Sequence, residues 1–347
     1  MSENSQPNLN HSIKEINVIN LENKTERWNK IKHDLESKNT KLEFNQFIGV
    51  DADKLNNSDY VDDISPKSKS FFISKYMYSK YKSHYNLWKY LKKTHSKLSK
   101  DKDKDKDKDK DKDKDKNDKK TEWFLILEDD VNLPENFDSY IENLVLFLNK
   151  IPQEELDKID LINLSPYADF TNKFTNINNY ILKLMLSILT LVFNGKSKYN
   201  NEVLYSSDIG GYEWELINSK FSLGNHCYLV NLEQIDRLIN FFDENKLSYY
   251  MDIQLNLQLF NICSITPIEI KRGGFEDATL PTISKPSLPV KFLTMINPEL
   301  AHDLGKPVIS ILGFYHVNVL IILYGLFLII WQIIDLPGRL QTFFENI

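Results

Sequence analysis

An α/β fold is what this chain of 347 residues predicts, and three observations predict it. Short β-prone runs alternate with helical periodicity from the N-terminal region onward. One run, Trp123 to Leu127, is apolar without interruption, as expected of a central parallel strand covered on both faces. Three acidic residues follow where that run ends, and in open α/β sheets ligands gather beyond strand carboxyl ends. With 41% hydrophobic residues, the chain has enough apolar material for a sizeable core.

The elements can be justified in order. Residues 1–15 are polar and read as a flexible N-terminus; they contain no apolar stretch resembling a secretory signal, so export by that route is not expected. Ile16 to Leu21, "INVINL", is a strand ending in a polar turn. Glu26 to Leu35 then carries Trp28, Ile31 and Leu35 at helical spacing, which opens an α/β unit. Phe44 to Val50 is a second strand, and Tyr76 to Leu98 a helix in which Tyr81, His84, Trp88 and Leu91 recur every three or four residues. Asp101 to Lys120 alternates aspartate and lysine almost without a break. It offers no apolar group to bury and is expected to be a disordered loop whose added length costs little.

Trp123 to Phe137, "WFLILEDDVNLPENF", joins the apolar strand to Glu128, Asp129 and Asp130. Clustered carboxylates repel one another unless they face solvent, gain hydrogen bonds or bind a cation, and oxygen-rich ligation suits Mg²⁺ or Mn²⁺. Solvation of an acidic turn is the plainer account. Ile159 to Leu164 is a further strand, and Tyr180 to Phe193 a packed helix, since it contains Lys183 and is short for a membrane span. Ser206 to Gly211, "SSDIGG", reads as a flexible connection. His226 to Val230 is a strand before a helix over Leu232 to Phe242, and Asp252 is the next acidic landmark. Val308 to Ile334 is mostly apolar. As a helix rising about 1.5 Å per residue it would reach roughly 40 Å, enough for a tilted membrane span, although a buried helical hairpin fits the same pattern.

A formal charge of -6 removes the general cationic field of a nucleic-acid binder. Two cysteines, Cys227 and Cys263, make no disulfide framework; one isolated bridge stays open, and buried thiols are the simpler reading.

Taken in order, "INVINLENKTERW", "SHYNLW", "LILEDDVNLPENF" and "NHCYLVNLEQIDRLINFF" followed by Asp252 make Ile16 to Arg272 resemble glycosyltransferase family 25, which contains lipopolysaccharide-biosynthesis transferases and procollagen galactosyltransferases. The resemblance implies a GT-A-like α/β domain over residues 16–285. Loop 101–120 lies within it, and a C-terminal region at 286–347 carries the candidate membrane helix 308–334. It implies a UDP-sugar donor with Mn²⁺ or Mg²⁺, and an acceptor hydroxyl on a glycan or a hydroxylysine-containing protein. Asn20, Leu21 and Arg27 would lie near the nucleotide, with His84 and Trp88 supporting the donor pocket. Asp130 is the first choice for metal ligation and Asp129 the second, with Glu128 shaping their electrostatics. Asp252 is the candidate general base and Asp208 and Glu213 its substitutes; helix capping or solvation explains Asp252 equally well. Core packing remains open for Trp88, as does a structural role for His226 and Tyr228. Transfer is expected to proceed with inversion. A terminal membrane anchor at 308–334 would leave the enzyme-sized portion on the cytosolic side if no other segment crosses. Two other classes compete: a noncatalytic membrane-associated scaffold that binds nucleotide sugars, and a metal-dependent phosphatase or nuclease built on the acidic triplet. The Asp-Lys insertion, the apolar segment after "LINLSPYAD" and the hydrophobic tail depart from the family pattern.

Overall fold

The computed structural model describes residues 11–56, 58, 60–65, 73, 75–106, 121–166, 202–218, 222, 224–248, 251–257, 260–272, 307–311 and 315–318. The first α/β unit is strand β1 (His11–Asn20), helix α1 (Thr25–Ser37) and strand β2 (Glu43–Ile48), which pairs parallel to β1. A long helix, α2 (Lys75–Lys106), leads to β3 (Thr121–Glu128), also parallel to β1 but on its other side. Then come β4 (Val131–Asn132), α3 (Phe137–Lys150), the short α4 (Gln153–Leu156) and β5 (Leu161–Asn163). The hairpin β6 (Glu202–Ile209) and β7 (Tyr212–Asn218) precedes β8 (Cys227–Asn231), α5 (Leu232–Asn245), α6 (Met251–Leu257) and β9 (Ile262–Thr266). Strand β10 (Lys271–Arg272) pairs with β4, and β11 (Pro307–Ile311) with β12 (Tyr315–Asn318).

The main sheet has eight strands in the order β2-β1-β3-β8-β5-β9-β7-β6. It is mixed: β8 runs antiparallel to both of its neighbours, β3 and β5, while β5 and β9 are parallel. Alternation along β3 assigns the two faces. Trp123, Leu125 and Leu127 join a core with Ile31 and Leu35 of α1 and Leu144 and Phe147 of α3. Phe124 and Ile126 join the opposite core, with Trp88 and Leu91 of α2, Leu238 and Phe242 of α5 and Leu255 of α6. Burial on both faces explains the uninterrupted apolar run in β3, and the three-layer mixed α/β architecture fits a GT-A-like domain.

The chain leaves β1 toward β2 on one side and supplies β3 on the other, so the strand order reverses between β1 and β3. A crevice opens at such a reversal beyond the carboxyl ends of the strands. Asn20 ends β1 and Glu128 ends β3, with Ile19 and Glu128 in register.

Several stretches differ from the sequence-based expectation. Ser206 to Ile209 is not a loose connection but the end of β6, where Ile209 pairs with Tyr212 across a two-residue turn. Gly210 and Gly211 both have positive φ, 59° and 80°, the backbone that a tight hairpin of this twist requires. Residues 101–106 continue α2, since extending an existing helix is far cheaper than nucleating one. Residues 107–120 and the Tyr180 to Phe193 segment lie outside the described residues. Within 308–334, residues 308–311 and 315–318 form antiparallel strands rather than helix, consistent with β-branched Val308, Ile309, Ile311 and Val317. Among the described residues, no helix is long and apolar enough to cross a membrane. Cys227 and Cys263 are free and buried. They sit on β8 and β9 with β5 between them, about 10 Å apart at strand spacing, beyond disulfide reach.

Candidate active site

Two connected constellations occupy the crevice. The first begins with Asn20, buried where β1 ends. Its amide nitrogen donates to Asp129 Oδ2 at 2.6 Å and to the Lys24 carbonyl at 3.1 Å, and its oxygen accepts from Gln46 Nε2 at 2.8 Å. Arg27, in the first turn of α1, approaches Asp129 Oδ1 at 3.4 Å. Leu21 is half-buried and its carbonyl accepts the Lys24 N–H at 2.8 Å, closing the turn into α1. Asp129 therefore faces β1 and α1. Burial raises its proton affinity, the Asn20 hydrogen bond and Arg27 oppose that, and the nearby Asp130 and Glu128 charges add to it, leaving a pKa of about 6.

The second constellation is centred on Glu128. Because β8 runs antiparallel to β3, the residue just before β8 lies beside the end of β3, and Glu128 N–H donates to the His226 carbonyl at 2.7 Å. His226 Nδ1 is 3.1 Å from Glu128 Oε2. From α2, His84 Nε2 lies 3.1 Å and Lys80 Nζ 2.7 Å from Glu128 Oε1. Burial favours the neutral acid at Glu128, but the Lys80 and His226 charges and hydrogen bonds from His226 and His84 outweigh it. The carboxyl is held well below its ordinary range.

The direction of these hydrogen bonds can be deduced. Glu128 as a carboxylate only accepts, so His226 donates through Nδ1 and His84 through Nε2. Burial lowers the His84 pKa, with Glu128 opposing, so the ring is neutral near pH 7 and its Nδ1 is an acceptor. The partner of that nitrogen is Tyr228 Oη at 2.9 Å, which itself accepts Trp88 Nε1–H at 2.9 Å. The chain therefore runs Trp88 to Tyr228 to His84 to Glu128, fixing one tautomer of His84. Lys80, His84 and Trp88 are successive turns of one face of α2.

Glu128, Asp130 and His226 each offer a ligand atom, and these atoms lie within 4.8 Å of one another. Two carboxylates and one imidazole form a donor set that suits Mn²⁺, and the two carboxylates alone would also serve Mg²⁺. The expected triplet thus divides: Glu128 and Asp130 converge with His226, whereas Asp129 is engaged by Asn20 and Arg27.

Asp252 lies in the first turn of α6, buried, and accepts the Gly224 N–H at 3.1 Å. Its charge reaches His84, which places it in the same electrostatic environment. Asn256, one turn later, exchanges hydrogen bonds with the Ser222 backbone at 2.8 and 2.9 Å. From β5, Asn163 donates to Ser222 Oγ at 2.8 Å and to the Gly224 carbonyl at 2.7 Å. Together these side chains clamp the backbone leading into His226. Asp208 and Glu213, by contrast, face each other, exposed, beside the β6–β7 turn. Four intervening strands separate Asp208 from β3 and three separate Glu213 from it, about 19 Å or more at strand spacing, so they are not brought to Glu128.

Sequence reasoning did not single out Lys80 or Asn163 and left His226 between structural and functional roles. Lys80 was detectable as the residue one turn before His84. His226 required knowledge that β8 is antiparallel, which no local pattern encodes.

No curated protein matches the chain. The family described as Glycosyltransferase family 25 (LPS biosynthesis protein) matches residues 13–98, which span β1, α1, β2 and the part of α2 carrying Lys80, His84 and Trp88. Over those residues, about a quarter of the chain, the protein is similar to glycosyltransferase family 25.

Proposed function

We propose that the protein transfers a sugar, with inversion, from a UDP-sugar to a hydroxyl group on a glycan or a hydroxylysine-containing protein, with Mn²⁺ or Mg²⁺ as cofactor. The observation that carries the metal-dependent reading is the convergence of Glu128, Asp130 and His226 at the sheet reversal, beside the Asn20–Arg27–Asp129 constellation. Those three residues would hold the cation, which when bound supplies neutralisation of charge on the departing diphosphate. Asn20 and Arg27 fix the entrance to α1, where the nucleotide is expected. The Trp88–Tyr228–His84 chain holds Glu128 in its accepting form. Asp252 takes the acceptor proton in this reading, with Gly224 N–H orienting its carboxylate. The apolar stretch 308–334 makes membrane attachment part of the proposal, to be tested by fractionation after deleting 308–347.

The decisive experiment is mass-resolved turnover of a UDP-sugar panel with Mn²⁺, sugar and hydroxylysine-peptide acceptors, and an EDTA control. A glycosylated product that disappears with EDTA and carries inverted anomeric configuration is expected. Retention would overturn the single-displacement mechanism, and EDTA-insensitive product the metal requirement. Donor binding without turnover across the acceptors would favour a noncatalytic binding role.

A further inference from the structure

Lys80 has no place in the transfer chemistry above, yet its ammonium lies 2.7 Å from Glu128 Oε1, the oxygen that also accepts from His84. The three side chains on Glu128 are not equally fixed. His84 and His226 are essentially buried, at 1% and 0% exposure, and His84 is held at both ring nitrogens. Lys80 is 19% exposed and carries a flexible stem. A divalent ion held by Glu128, Asp130 and His226 would stand beside the same carboxylate that the ammonium pairs with, where like charges repel strongly in a partly dehydrated site. One of the two must leave, and only the lysine has the freedom to swing. A diphosphate arriving with the ion offers the anion that a lysine binds as a point charge.

We propose that Lys80 is a displaceable counter-ion of Glu128: it pairs with the carboxylate in the metal-free protein and transfers its charge to the nucleoside diphosphate when a divalent cation enters. The proposal rests on the metal reading of Glu128, Asp130 and His226. Its consequence is coupling, in which the lysine weakens metal binding to the free protein and makes nucleotide and metal tighten one another.

The test is titration of the metal-depleted full chain with Mn²⁺, followed by the EPR signal of the free ion, with and without UDP. Lys80→Met should bind Mn²⁺ at least about tenfold more tightly than wild type in the absence of UDP, since a unit charge near the ligand oxygen is removed. The tightening of Mn²⁺ by UDP should shrink several-fold in the same variant. Lys80→Arg, which keeps the charge, should remain close to wild type. Melting in EDTA checks folding, and Lys80→Gln provides a second neutral variant carrying the same expectation. Neutral variants that bind Mn²⁺ no tighter than a Mn²⁺-binding wild type would overturn the counter-ion role alone. Absence of Mn²⁺ uptake by every variant, with or without UDP, would overturn the metal reading and this proposal together. Uptake by the neutral variants but not by wild type would support both.

Discussion

At the scale of single residues, Asp129 and Asp252 separate electrostatic from chemical roles. The Asp129 pKa rises from 3.8 to about 6 on folding, so its proton is bound more tightly by the native chain. Its contribution to stability is present below pH 3.8 and lost as pH rises through 6, leaving a cost above that of up to about 3 kcal/mol. In EDTA, wild type should therefore lose stability relative to Asp129→Asn across that window, and urea unfolding at several pH values reads the difference. Asp252→Asn is expected to lower kcat by about 10² or more if Asp252 is the base, with Mn²⁺ affinity little changed. A parallel loss of Mn²⁺ binding would instead assign it to holding the His226 loop. The sequence made the acidic triplet visible but not its division. Neighbouring residues in a turn leave β3 in different directions, and only the positions of Asn20, Arg27 and His226 decide which carboxylate does what.

The elements carry their own tests. At the β6–β7 hairpin, a Cβ on Gly210 would lie 2.5 Å from Asn143 Nδ2 of α3, while one on Gly211 meets nothing within 4 Å. Both positions require positive φ, so Gly211→Ala should cost about 1 kcal/mol and Gly210→Ala clearly more, measurable by denaturant unfolding. At the start of α5, Asn231 Oδ1 accepts the Gln234 N–H at 3.0 Å, and Asn231→Ala should cost about 1 kcal/mol. Elements buried on one or both sheet faces were legible because their periodicity is local, as in Trp123 to Leu127 and the Trp88 face of α2. The "SSDIGG" segment was misread because its polar residues lie on an edge strand with one open face, where composition resembles a loop. Its paired glycines were the better clue.

For the whole molecule, the important relation is between the two ends of the sheet. The Asp-Lys stretch enters β3 at Thr121, while Glu128 stands at the other end, about 23 Å away along an eight-residue strand. Replacing residues 107–118 by a short Gly-Ser linker should therefore leave Mn²⁺ binding and donor turnover within about twofold of wild type. A large loss with an unchanged melting temperature would give the charged stretch a catalytic part. Strand order was the least legible feature of the sequence, because it is fixed by contacts between distant segments. The antiparallel insertion of β8 between β3 and β5 is the chief example.

That insertion also sets a schedule. Glu128 and His226 are 98 residues apart. At a synthesis rate of about 5–20 residues per second, the histidine emerges some 5–20 s after the carboxylate it joins. For that interval the nascent chain holds Lys80, His84 and Glu128 without His226, and its acidic turn lacks the third donor. In the proposed metal-dependent reading, loading would then be an event of the finished domain, and ribosome-bound chains ending before β8 would leave the ion in solution.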